Sequence, residues 1–184
     1  MSEKIVLGLT GFSGTGKTTL AEYLSREHGF TLFENSSRLR HAAAEAGQTL
    51  SSRNDYEQFF RQQQVVRGLS WLSDEMLAID ADRLLQVGLR SPHDLRNIQR
   101  VGGRIIGLVC PPSVCITRID TTDPKNPSTI EEYIQHQAIE ESLLEVGSHT
   151  AWAVMNANYG LNTASPIEHT YAELNSIVAE FAKI

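Results

Sequence analysis

The sequence is short of several things, and each shortage excludes something. Its 184 residues include two cysteines, Cys110 and Cys115. That is too few for a disulfide framework, so free thiols in a reducing cytoplasm are expected. The two flank Pro-Pro-Ser-Val with no His or Cys pair nearby, which gives no metal-site spacing. No apolar run approaches the roughly 20 residues needed to cross a bilayer, so no membrane partner is expected. The stretch MSEKIVLGLTGF lacks a secretion-signal layout, because its apolar run ends directly in glycines. Repeats, low-complexity tracts and Pro/Gly/Ser-rich linkers are missing, which points to one domain over 1–184. Lysine is scarce, at 4 against 12 Arg, and 11 of those Arg fall between Arg38 and Arg118. A net charge of −6 argues against nonspecific coating of duplex DNA. A local basic site remains open, because the planar arginine fork suits bidentate phosphate contacts.

What is present is an alternation of short apolar runs and amphipathic stretches. Residues 4–10, 30–33, 83–89, 103–109 and 159–162 read as strands. Helices are expected over 16–28, 37–46 and about 55–79, the last interrupted near Gly68. Ser91-Pro92 starts another helix, with Ser as cap and Pro in the first turn. Thr129 and Glu132 form a capping box for a helix over 130–146. Ser165-Pro166 with Glu168 caps a final helix carrying Ile167, Tyr171, Leu174, Ile177, Val178 and Phe181 on one face. This order predicts a three-layer α/β/α fold around a five-stranded parallel sheet.

Directly after the first strand, residues 11–18 (GFSGTGKT) fit G-x-x-x-x-G-K-[ST] at every fixed position. Glycines there let successive N–H groups point at one anion, and the helix start adds its positive end. Gly11, Ser13, Gly14, Thr15, Gly16, Lys17, Thr18 and Thr19 are therefore expected to bind the phosphates of ATP. Lys17 would reach the β- and γ-phosphates, and the Thr18 hydroxyl would hold Mg²⁺. A motor needs extra domains that 184 residues cannot supply. A GTPase switch needs an N-K-x-D segment, which the sequence does not contain. A kinase for a small acceptor remains.

Further motifs resemble those of adenylate-kinase-type nucleoside monophosphate kinases. SSRLRHAAA (36–44) is similar to the segment whose arginine opens the acceptor-binding helix, and the matching residue is Arg40. VGLRS (87–91) resembles D-G-x-[PR]-R, and is closer to the D-G-[IL]-R-S of dephospho-CoA-kinase-like and phage-type deoxynucleotide kinases; its arginine is Arg90. VCPPSVCITR (109–118) resembles the stretch before the lid and sets Arg118 at the lid's start. ANYGLNTAS (157–165) is similar to the strand before the last helix. The resemblance implies a P-loop kinase with an acceptor-binding helical region over 35–80 and a short lid over 118–136. Arg40 and Arg90 would hold the acceptor's phosphate, while Lys17, Mg²⁺ and Arg118 would neutralise the transferring group.

Between them, 51–72 would close over the acceptor, with Tyr56, Phe59 and Phe60 stacking on a base and Arg53 or Arg61 on phosphate. Helix packing is the alternative for the two phenylalanines, and a salt bridge to Asp94 is the alternative for Arg90. The sequence also departs from the pattern. Val87 stands where the family has an acid; Asp80 or Asp82 could supply a water-mediated metal contact, but solvation of a loop is the reading favoured for both. His136 and Gln137 stand near the family's Arg-Asp, and Asn158 replaces an Asp. The expected acceptor is a (deoxy)nucleoside monophosphate. The alternatives are a hydroxymethylated pyrimidine in DNA, dephospho-CoA, or a noncatalytic nucleotide-binding module.

Overall fold

A computed structural model of the chain describes residues 4–122, 126–141 and 145–181. Strand β1 (Ile5–Thr10) lies at its centre, with Val6 through Thr10 buried. On one side it pairs with β3 (Arg83–Leu89), which pairs with β2 (Thr31–Glu34); on the other it pairs with β4 (Arg104–Val109), which pairs with β5 (Tyr159–Asn162). All four pairings are parallel. The central strands read as near-continuous apolar runs because both faces of a parallel sheet are covered.

Strand alternation sorts the core into two layers. Leu7 and Leu9 face α1 (Lys17–His28) and α9 (Ile167–Phe181), where Leu20, Leu24, Leu174 and Val178 close that layer. Val6 faces the other way, onto α4 (Trp71–Leu77), α5 (Pro92–Arg100) and α8 (Thr150–Met155) through Met76, Ile98 and Ala153. A third cluster, including Leu39, Phe59, Phe60 and Trp71, joins α4 to α2 (Asn35–Glu45) and α3 (Arg53–Arg67). These three helices are the region expected to bind an acceptor.

Local chemistry explains most boundaries. The interruption near Gly68 is real: Gly68 adopts φ 109° and separates α3 from α4. Helix α3 starts two residues before the expected Asp55, because Ser52 and Asp55 form a capping box. Thr129 caps α7 (Ile130–Ile139) as expected, accepting from Glu132 N. That helix stops at Ile139 rather than continuing to 146, and 142–144 lie outside the described residues. The polar stretch TTDPKNPST (121–129) before it includes 123–125, also outside them. Helix α8 and the short α6 (Pro112–Cys115), with a 3₁₀ turn over Ile116–Arg118, have no clear periodicity in the sequence. No described helix is long and apolar enough to cross a membrane.

Asp94, in the first turn of α5, is enclosed by this packing. Its Oδ1 accepts from Ser73 N at 3.0 Å, and Oδ2 has no partner among the described residues. Burial pushes its pKa up to about 7, against the hydrogen bonds from Ser73. An unfolded chain releases the same proton near pH 3.9. The native state therefore holds more protons between these values, so stability present below about pH 4 is lost as pH rises towards 7. Asp94→Asn should remove this slope: the wild-type urea midpoint falls between pH 4 and 8 by an amount the variant does not show. Every tenfold difference in proton affinity between the folded and unfolded chain is worth about 1.4 kcal/mol. Parallel pH profiles would mean that Asp94 is already ionised in the fold.

Candidate functional site

The glycine-rich turn leaves the carboxyl end of β1 and enters α1. Gly14 (φ 74°) and Gly16 (φ 88°) occupy left-handed backbone that glycine adopts without strain. A Cβ on Gly14 would also come within 2.4 Å of the Cys115 carbonyl oxygen. The turn is braced below by Thr10 Oγ1 donating to Leu89 O (2.7 Å), and within by Thr15 Oγ1 donating to Phe12 O (2.8 Å). Lys17 Nζ folds back to donate to Gly11 O and Phe12 O, both at 2.7 Å. Burial, then the Arg90 and Arg53 guanidiniums, lower its pKa to about 7 against the opposing pull of Glu140. A bound polyphosphate would supply the counter-charge this ammonium lacks.

Two cavities meet at this turn and share no lining residue. The larger, about 440 Å³, is lined by Lys17 and Thr18 on the loop side and by residues of β2, α2, α3 and the end of β3. Arg40, Arg53 and Arg90 all line it. Arg90 Nη1 and Arg53 Nη1 both contact Glu140 Oε1, at 2.8 and 2.9 Å, and Arg53 Nη2 donates to Ser13 Oγ at 2.7 Å. The salt bridge considered between Arg90 and Asp94 is not formed; Glu140 takes that place. Arg40 is exposed and, among the described residues, donates to Ser37 Oγ (2.9 Å). Tyr56 lines the same cavity, as does Phe60. Phe59 does not reach it: α3 turns that ring into the third core cluster, so the packing alternative holds for Phe59.

The smaller cavity, about 250 Å³, lies on the other side of the first turn of α1 and is lined by Thr15, Gly16 and Thr19. Arg118 belongs here, with Thr163 and Ser165, and not beside the three other arginines. Its Nη2 donates to Thr163 O at 2.8 Å, and Nη1 approaches Cys110 Sγ at 3.7 Å. Held to the carbonyl that follows β5, Arg118 lines the smaller cavity and not the larger.

Asp80 and Asp82 precede β3, at the sheet edge opposite the glycine turn, about 20 Å away by strand rise. Neither reaches the site. A carboxylate stands on the next strand instead, where Glu34 registers with Val87 and lines the large cavity. Glu34 Oε2 accepts from Ser37 Oγ at 2.8 Å.

Sequence reading also missed Glu140, Glu57, Ser148 and Tyr133. Glu57, buried on α3, accepts from Ser148 N (2.8 Å) and Ser148 Oγ (2.6 Å). His149 N donates to Arg90 O at 2.8 Å, fixing the same loop to the end of β3. Tyr133 OH donates to Ser13 O at 2.7 Å, and burial, then its hydrogen bond with Cys115, push the phenol's pKa upward. Among the described residues there is no group of three or more His, Cys, Asp or Glu that could hold a metal unaided.

A family model described as an AAA domain matches residues 7–140. Three solved structures share the architecture. Shikimate kinase from Acinetobacter baumannii, in complex with shikimate, has a TM-score of 0.66 at 14% identity, covering 97% of this chain and 96% of its own. Shikimate kinase from Bacteroides thetaiotaomicron has 0.59 at 17%, covering 95% and 98%. Shikimate kinase from Aquifex aeolicus has 0.57 at 14%, covering 95% and 96%. At these identities the likeness is one of fold alone. No curated protein matches the sequence.

The Gly14 geometry gives a direct test of the loop. Gly14→Ala must either flatten φ 74° or push Cys115 aside, so MgATP affinity measured by calorimetry should fall at least tenfold, on the order of 1.4 kcal/mol. Wild-type affinity in this variant would show that the loop does not hold the phosphates in the conformation described.

Proposed function

The chain belongs to the AAA-domain family, and from that premise we propose that it is an ATP-dependent phosphotransferase acting on a small nucleotide-like acceptor, most simply a (deoxy)nucleoside monophosphate. One observation carries this reading: a phosphate loop with a separate cavity on each side. The smaller cavity, beside Thr19 and Arg118, suits the nucleoside end of the donor. The larger holds three guanidiniums near an aromatic wall of Tyr56 and Phe60. Its volume of about 440 Å³ falls in the roughly 300–1,000 Å³ range of small-molecule sites. A noncatalytic binding module would need only the first cavity.

The reaction breaks the bond from the γ-phosphorus to the bridging oxygen, forms one to an acceptor oxygen, and releases ADP. Little covalent help is required; the two anions must be held in line and their charge offset. In this reading Lys17 and Arg53 face the donor phosphates, Arg53 through its place on Ser13, while Arg90 and Arg40 face the acceptor. Mg²⁺, when bound, neutralises β- and γ-phosphate oxygens. The donor set fits such an ion in a limited way: the Thr18 hydroxyl and the Glu34 carboxylate line one cavity, and the phosphates and water would complete the shell.

A small acceptor is favoured over DNA by what the remaining arginines do. Arg38 and Arg67 pair with Glu75 and lie over Trp71. Arg96 and Arg104 lie over Trp152 and Phe181. These four are engaged in packing rather than offered to a polyanion.

The test is a panel with γ-labelled ATP and Mg²⁺, offering deoxynucleoside monophosphates, dephospho-CoA, shikimate and hydroxymethylated DNA in turn. Label should enter a nucleoside monophosphate. Lys17→Ala should abolish transfer, and Arg90→Ala should raise the acceptor KM by about 10- to 100-fold with ATP affinity unchanged, the cost of one charged hydrogen bond. Label in DNA alone would replace the acceptor assigned here. Bound ATP with no transfer to any compound would leave only the binding module.

A further inference from the structure

The segment beyond Arg118 carries few cations, yet it is the segment expected to close over the donor and acceptor. What α7 and the residue after it bring to the loop is a phenol and an acid. Tyr133 grips the carbonyl of Ser13, while Arg53 of α3 takes the hydroxyl of the same residue. Glu140, the first residue past α7, has a side chain only 3% exposed. Its Oε1 is shared by Arg53 Nη1 and Arg90 Nη1, and its Oε2 accepts from Thr150 Oγ1 at 3.1 Å. Thr150 N also donates to Glu140 O at 3.3 Å, so the backbone is fixed along with the side chain.

Burying a carboxylate this deeply costs free energy unless opposite charge surrounds it. Here burial opposes ionisation, yet Arg90, Arg53 and Lys17 together hold the pKa below the usual carboxylate range. The shape of the contact matters as much as its charge. A bidentate grip on one arginine would consume a whole edge of that guanidinium. Sharing a single oxygen between two Nη1 atoms leaves other N–H groups on each guanidinium, although Arg53 Nη2 already gives one to Ser13 Oγ. It also offsets the repulsion between two cations drawn to one point.

Resting on the kinase reading above, we propose that Glu140 is a positioning residue of the transfer site: its carboxylate fixes Arg53 and Arg90 side by side, with their free N–H groups turned to the migrating phosphoryl group and the acceptor's anion. In effect the charge pattern of the closing segment is inverted. The cations come from α3 and from the end of β3, and the segment after α7 supplies the anion that aligns them.

A positioning role and a merely structural one differ in what they do to binding and to transfer. Glu140→Gln keeps the shape and removes the charge, so the two guanidiniums become more attractive to an anion but less well placed. Inorganic phosphate, used as the probe of the arginine pair, should bind Glu140→Gln as tightly as wild type or more tightly. Single-turnover loss of γ-phosphate from MgATP, with water and then with the panel's acceptor, should slow about 30-fold, equivalent to about 2 kcal/mol at 1.36 kcal/mol per decade. In an Arg53→Ala/Arg90→Ala background the same replacement should add no further slowing, since its partners are gone.

Weaker phosphate binding together with slower turnover would make Glu140 a structural support only. Tighter binding with faster turnover would make it an inhibitory counter-ion, and wild-type behaviour in both assays would leave it no role; each overturns the proposal. If the Gln variant does not fold, Glu140→Asp withdraws the charge by one methylene, and slower turnover at unchanged phosphate affinity is then the expected result. An active wild type with an indifferent Glu140 variant refutes Glu140 alone. A wild type that binds MgATP and never breaks its β–γ bond refutes the kinase reading, and this role falls with it.

Discussion

All five strands run the same way, and nearly everything else about the site depends on that. A parallel pair needs a crossover, and the crossovers place helices on both faces and every strand's carboxyl end along one edge. The glycine turn follows β1, Glu34 ends β2, Arg90 follows β3, Arg118 lies a short helix beyond β4, and Thr163 follows β5. Residues scattered over some 150 positions are therefore neighbours along one rim. The same constraint excludes Asp80 and Asp82, whose place before β3 puts them on the far edge whatever their chemistry.

Within that rim, charge decides the rest. Lys17, Arg53 and Arg90 crowd together, and burial first, then the two guanidiniums, lower the pKa of Lys17 to about 7. Glu140 relieves part of the strain from within the chain, and an incoming polyphosphate would relieve more. Arginines elsewhere are settled differently. Arg83 donates to His28 O and lies over Phe30, and Arg38 is clamped by Glu75. The abundance of arginine is thus mostly structural, and only those that find no aromatic or acidic partner at the periphery define the site.

What the sequence disclosed follows the range of the interactions concerned. The strands, the glycine turn and the caps at Ser91 and Thr129 are local, set by residues within a few positions, and they stand where periodicity and cap chemistry put them. The five-stranded parallel sheet was legible for the same reason. Phe59 and Phe60 were beyond that range: adjacent on one helix, both pack into the cluster shared with α2 and α4, and only the tertiary packing leaves Phe60 at the cavity wall as well. Glu140 was less visible still. It lies in an ordinary Ala-Ile-Glu-Glu-Ser run, and its partners are 87 and 50 residues away in Arg53 and Arg90, so no spacing rule could single it out. Helix α8, short and without a clear apolar stripe, is held by the Glu140–Thr150 contacts and the sheet face it covers rather than by its own propensity.

The two departures that set this sequence apart from the kinase pattern it resembles then have one physical account. The carboxylate that ends β2 lies on the same cavity as Val87, because the two strands are register partners at Val87 and Glu34. Moving the cations from the closing segment to α3 and the end of β3 keeps them on the same anion, provided something holds their flexible side chains in place. Long arginines lose considerable rotamer freedom when fixed. Two of them sharing one buried acid lose it in folding, before any ligand arrives. The closing segment beyond Arg118 can then be poor in arginine without weakening the site, because Glu140, just past α7, contributes order where that pattern contributes charge.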